Sequence, residues 1–238
     1  IHEYQVGRTP NPCARCNIIK FGLMLHFAQN NGFSLAASGH YAVVEGGKLY
    51  TATNNRKGQS YFLARLSPET LANVRFPLGD FASKEIVRSI AKKNHLHIAQ
   101  KKESQDICFI ASNYGDYLAE RGVTTQPGAM VDSKGKIIGE HKGHFFYTIG
   151  QRSRVPGLSH RMYVKKIEAD KNLVILGNLE ELVAQKCVVS ELHYLENLPD
   201  FTENLWIKIR YNDRFYQGSL ARADSQNGVI HFSEPVSA

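Results

Sequence analysis

Two cysteines three positions apart, Cys13 and Cys16, follow a double-proline turn in GRTPNPCARCNIIKF, residues 7–21. A third, Cys108, stands far downstream in KKESQDICFI. A thiol can hold a metal, pair as a disulfide or act as a nucleophile, and its compartment decides between these. Four cysteines in 238 residues are too few for a disulfide framework. No signal peptide opens the sequence, and no apolar run approaches the roughly 18 residues of a membrane helix. The chain therefore reads as cytoplasmic with no membrane partner, where a Cys-x-x-Cys is reactive or metal-bound rather than structural. A net charge of +7 and a pI near 9.2 suit an anionic partner, or equally a solubilising surface excess.

These thiols need elements to position them. Ile18, Phe21, Leu25 and Ala28 recur at helical spacing, with Gly32 as a stop. Cys16 is expected at or just before the N-terminus of that helix, where unpaired N–H groups and the dipole favour a thiolate. FSLAASGHYAVV reads as a short strand with a glycine turn at Ser38-Gly39-His40, and GGKLYTAT as a second strand. GQSYFLARL reads as helical. SKEIVRSIAKKNHL is an amphipathic helix with Ser83 as N-cap, and HIAQKKESQDICFI reads as extended. Helices and strands alternate to about residue 115, the pattern of an α/β domain. GAMVDSKGKIIGEH and MYVKKIEADKNLVILG are hairpins turned at 132–135 and 170–172. From residue 185 short strands dominate. The expected domains are 1–115, 116–184 and 185–238.

In order along the chain, GRTPNPCARCNIIKF, SGHYA, KGQSYFL, FPLGDFASKEIVRSIAKK, KKESQDICFI and GEHKGHFFYTIGQR resemble the tRNA-specific 2-thiouridylases, from residue 3 to about 215. The resemblance implies the back half of a PP-loop Rossmann-like α/β domain, a small α+β central domain and an incomplete C-terminal β-barrel. It implies ATP-dependent replacement of the C2 oxygen of the wobble uridine, position 34 of tRNA, by sulfur. Cys16 matches the nucleophile and Cys108 the persulfide carrier, with a Cys16–Cys108 disulfide as the spent state. Asn11, Pro12 and Cys13 match the segment contacting the target base, and Gly39 a backbone contact to ATP. His40, Lys57, Gly58, Gln59, Arg210 and Tyr211 match tRNA contacts. ATP, Mg²⁺, the anticodon stem-loop and a sulfur-relay protein or cysteine desulfurase are the implied partners.

This sequence departs from the family at Cys13 and Gly58, where Asp is usual. The family's Ser-Gly-Gly-x-Asp-Ser pyrophosphate loop and its last barrel segment lie outside residues 1–238. The chain also opens without Met, as if cut from something longer, so the expectation is that this stretch alone forms no 2-thiouridine. Cys13 reads as a tolerated substitution, a resolving thiol, or, with Cys16 and Cys108, a ligand of an iron–sulfur (4Fe–4S) cluster. Cys187, in KCVVSEL, reads as a buried core thiol. Arg8, Arg15, Lys20, Lys101 and Lys102 suit phosphate contacts. His141 and His144 read as RNA contacts or turn caps, and Glu103 and Asp106 as neighbours that tune Cys108. The competing function is a non-catalytic RNA-binding or iron–sulfur module. A carboxylate-adenylating ligase is disfavoured, since it needs no paired thiols.

Overall fold

The computed structural model describes residues 1–238 except 54–57, 101–106, 109, 111–113, 124, 125, 156–160 and 238, and the side chains of 114 and 115. The chain forms two compact units. A sheet unit comprises Ile1–Pro10, Cys108–Ser190 and Asp200–Ala238; a helical unit comprises Asn11–Ile107 and Glu191–Pro199. The sheet unit begins with α1 (His2–Gln5).

The helical unit is built on α2 (Pro12–Asn30). Asn11 caps it, its Oδ1 accepting from the Ala14 N–H at 3.3 Å, and Pro12 supplies a preset φ at the first helical position. The helix stops because Gly32 turns left-handed, at φ +79°. Phe33 N–H then reaches Ala28 O at 2.9 Å, and Gly32 N–H reaches Gln29 O at 3.1 Å, a Schellman closure. β1 (Ala36–Ala37) follows, then the hairpin β2 (Ala42–Glu45) and β3 (Lys48–Thr51). Gly46 and Gly47 both take positive φ at its two-residue turn, as a type I′ turn demands. α3 (Ser60–Leu63), α4 (Pro68–Ala72), β4 (Val74–Arg75) and α5 (Lys84–Lys93) complete the unit. β4 pairs in parallel with β1. Phe21, Leu63, Leu71 and Val74 are wholly buried and form its core with Leu25 and Phe76.

FSLAASGHYAVV is thus two strands rather than one, with Ser38–His40 as the loop between them. The helix expected over GQSYFLARL is a single turn, closed at Leu66 N–H to Leu63 O. The segment expected as extended begins with a 3₁₀ turn at His97–Gln100.

The rest of the sheet unit runs from α6 (Tyr114–Glu120) through β5 (Gly128–Val131), β6 (Ile137–His141), β7 (Arg152–Ser153), β8 (Met162–Glu168) and β9 (Leu173–Gly177). Their order is β6-β5-β9-β8-β7, and only β5 and β9 pair in parallel. Both expected hairpins are present. β10 (Val183–Val189), β11 (Phe201–Ile207), β12 (Tyr216–Arg222) and β13 (Gly228–Ser237) form an antiparallel sheet in the order β10-β13-β12-β11. Gly218 allows that sheet to close, because a Cβ there would strike the His231 carbonyl oxygen.

The first ten residues are anchored inside the sheet unit. Tyr4 packs with Leu118 and Phe145, and Gly7 lies on Ile167. Thr9 Oγ1 meets Thr148 Oγ1 at 3.1 Å, and His144 Nε2 donates to Gln5 O at 3.1 Å.

Candidate functional site

The helix carrying the thiols starts earlier than its apolar period suggests. With Asn11 as cap, Cys13 is the second helical residue and half-buried, while Cys16 is one turn in and exposed. The unpaired N–H groups and the positive end of the dipole therefore belong to the turn of Cys13, not Cys16. Asn11, expected as a base contact, also holds that turn together. Asn17, a turn beyond Cys13, is only 4% exposed and donates to Phe62 O at 2.9 Å, tying α2 to α3. Nothing in the sequence singled it out.

Opposite this stretch of α2 in the same unit lies the Ser38–His40 loop. His40 Nδ1 is 2.8 Å from Ser38 Oγ, and its Nε2 is 3.4 Å from Lys20 Nζ. An ammonium can only donate, so Nε2 carries the lone pair and Nδ1 carries the proton, given to Ser38. The ring sits 5.6 Å from the Phe21 ring and 5.9 Å from that of Phe76. Burial among these rings, and then the Lys20 charge, lower its pKa to about 4, so at neutral pH it is an uncharged acceptor. Gly39 beside it is exposed; a Cβ would make only an ordinary 3.5 Å contact with Leu78.

Gln59 also serves the protein's own backbone. Its Oε1 accepts from Tyr41 N–H at 3.0 Å, and its N–H donates to Tyr41 O at 2.6 Å. It thereby fixes the loop after His40. Gly58 is buried, and Lys57 lies outside the described residues. The expected phosphate contacts divide. Arg8 pairs with Glu3 at 2.8 Å, and Arg15 with Glu191 at 3.0 Å, where Arg65 joins at 3.2 Å. Lys101 and Lys102, with Glu103 and Asp106, lie outside the described residues. An apolar groove of about 420 Å³ runs along α2 and β1, lined by Leu23, Phe27, Phe33 and Leu35. It offers hydrocarbon, not acid–base chemistry.

In the sheet unit Cys108 is exposed. Arg210 donates from Nη2 to Ile149 O at 2.7 Å, which lays its guanidinium on the 148–152 loop. Tyr211 is half-buried, with Lys208 Nζ 5.7 Å from its ring and 5.2 Å from that of Phe215. His141 is buried, donating from Nε2 to Asn172 O at 3.1 Å, and His144 anchors Gln5, so both serve the fold. Cys187 corrects the expectation of a core thiol. It is exposed on the edge strand β10, with burial raising its pKa only as a half-covered thiol.

Cys13 and Cys16 belong to one unit and Cys108 to the other. Among the described residues no three His, Cys, Asp or Glu side chains come together as a metal site. The residues at hand thus give the iron–sulfur reading no support, and no Mg²⁺ ligand set is formed among them. Among the described residues no helix is long and apolar enough to cross a membrane.

Comparison with known proteins sharpens the picture. Residues 1–112 match the family model described as the tRNA methyl transferase HUP domain, and residues 115–178 that of the tRNA methyl transferase PRC-barrel domain. The tRNA-specific 2-thiouridylase MnmA of Thermosipho melanesiensis is 42% identical over 241 residues, spanning all of this chain and 70% of that protein. The MnmA of Fervidobacterium nodosum is 42% identical over the whole chain and 68% of its own length. That of Nitratiruptor sp. is 42% identical over 99% of the chain and 70% of its own length.

Proposed function

Because this chain belongs to the tRNA-specific 2-thiouridylase family, with a HUP domain followed by a PRC-barrel domain, we propose that it forms 2-thiouridine at the wobble position of tRNA. The observation that carries this reading is the exposed Cys16 on a helix whose capped first turn also carries Cys13. A thiol so placed is accessible to a sulfur donor and to a nucleotide.

The C2 carbonyl of uridine is a poor electrophile, so its oxygen attacks the α-phosphorus of ATP, pyrophosphate leaves, and the resulting adenylate supplies the leaving group; Mg²⁺ would neutralise phosphate charge in this step. Sulfur arrives as a persulfide on Cys108, loaded by a sulfur-relay protein or cysteine desulfurase. The Cys16 thiolate attacks the Cys108 sulfur of that persulfide, the S–S bond breaks, and hydrosulfide leaves as a Cys16–Cys108 disulfide forms. Hydrosulfide adds to C2, the C–O bond breaks, and AMP departs with the electron pair. A thiol reductant then restores both cysteines. Asn11, Pro12 and Cys13 are assigned to the base, the Gly39 backbone to the nucleotide, and Lys57, Gly58, Gln59, Arg210 and Tyr211 to tRNA. Such a reaction belongs in the cytoplasm. Three sequence domains, 1–115, 116–184 and 185–238, divide the work, the last contributing barrel strands that hold RNA.

The test uses the complete gene product with ATP, Mg²⁺, a persulfide donor and an anticodon stem-loop, followed by mass spectrometry of the digested nucleosides. Product is expected from wild type and none from Cys16→Ser or Cys108→Ser. Undiminished product from Cys108→Ser would remove the persulfide route.

A further inference from the structure

The cations flanking Cys13 and Cys16 in the sequence differ in what neutralises them. Arg8 and Arg15 each face a carboxylate, at 2.8 and 3.0 Å. Lys20 does not: among the described residues no carboxylate pairs with it. Its ammonium lies 5.2 Å from the Phe21 ring centroid and 3.4 Å from His40 Nε2. An ammonium has three N–H donors, so two are left for a ligand or water.

Building on the reading above, we propose that Lys20 is the phosphate-binding charge of this site. His40 is then a positioning residue that acts through Lys20, not a direct contact to tRNA. Both ring nitrogens of His40 are engaged within the protein, Nδ1 by Ser38 and Nε2 by Lys20, so neither is free to read RNA. The donor-only ammonium fixes the tautomer whose lone pair faces it, and Ser38 Oγ accepts the Nδ1 proton. Lys20 follows Cys16 by four residues on α2, the spacing that places two side chains on one helix face. The Gly39 backbone beside it is exposed, leaving an approach for a ligand. A cation seated over one aromatic ring and held by a neutral acceptor, with no carboxylate pairing it among the described residues, is open to an incoming anion. The ligand chemistry is a phosphate, supplied by the nucleotide or by the RNA backbone.

The experiment measures binding of an anticodon stem-loop, and separately of ATP and AMP, to the complete gene product across a KCl series. The proteins are wild type, Lys20→Met, Lys20→Arg, His40→Leu and the double variant Lys20→Met/His40→Leu. For an RNA phosphate, Lys20→Met weakens stem-loop binding about tenfold and lowers the salt slope by about 0.7–0.9, one phosphate contact. For a nucleotide phosphate, the loss falls on ATP and AMP instead. Lys20→Arg retains the affinity. His40→Leu weakens the same ligand in the wild-type background but adds nothing to Lys20→Met, because it acts only through the lysine. A further loss in the double variant would mean that His40 touches the ligand itself, and would overturn the proposal. So would unchanged binding of both ligands by Lys20→Met, or binding of neither by wild type. The thiolation reading fails separately, if wild type binds RNA through Lys20 yet makes no 2-thiouridine.

Discussion

His40 should make the helical unit sensitive to mild acid. Its pKa falls from 6.5 to about 4 on folding, through burial first and the Lys20 charge second. A group whose folded pKa is depressed leaves stability intact above its unfolded pKa. Below pH 6.5 the unfolded chain takes up a proton that the folded one refuses, so stability drops until pH nears 4. At about 1.36 kcal/mol per pKa unit the full shift corresponds to about 3 kcal/mol; the ring is only partly enclosed, and solvent screening brings this to about 2 kcal/mol. Urea unfolding followed by far-ultraviolet circular dichroism suits the measurement, because α2 and α5 both lie in this unit. The comparison is with His40→Asn at pH 7 and pH 4.5. The stability advantage of wild type over the variant should shrink by about 2 kcal/mol between the two. Parallel pH curves for the two proteins would show that the ring is as free to protonate in the folded state as in the unfolded one, and the argument from its environment would collapse.

Two further substitutions probe the supports of the thiol helix. Asn11→Ala should cost about 1 kcal/mol by removing the cap on Ala14 N–H, whereas Asn11→Ser should restore it; hydrogen exchange at the Ala14 amide reports the difference, and equal protection in both variants would remove the capping role. Gly79→Ala should destabilise by about 1–3 kcal/mol in urea unfolding, since its Cβ would strike the Ala42 carbonyl oxygen at the start of β2; a neutral result would mean that the hairpin shifts freely.

What could be read in the sequence was what is local. The Ser83 cap and α5 follow from neighbouring residues, and the turns at 132–135 and 170–172 from their own chemistry. The start of α2 was misplaced because the apolar period begins at Ile18, while the cap and the first turn are polar or small. In FSLAASGHYAVV the glycine turn at Ser38–His40 was legible, but a separate strand after it was not, because the apolar run beyond the turn is only a few residues long. Cys187 looked buried because its neighbours are valines, yet an edge strand exposes even those, Val188 to 80%. At the site, the paired thiols announced chemistry, and resemblance supplied roles for Asn11, His40 and Gln59. Their support duties could not be read, because each depends on a partner brought close by folding. Lys20 meets His40 across twenty residues, and Asn17 meets Phe62 across forty-five.

The anchoring of residues 1–10 also bears on the order in which the chain can fold. Those residues leave the ribosome ahead of residues 11–238, and their partners come much later: Leu118, His144, Thr148 and Ile167. The core of α2, by contrast, is complete at Phe76, apart from the late addition of Leu195. Loop closure over so many residues is slow, whereas contacts within a short span form early. The thiol-bearing helix is therefore dressed in most of its own core while the segment leading into it is still loose. During synthesis its cysteines are open to redox chemistry before Gly7 has anything to rest on.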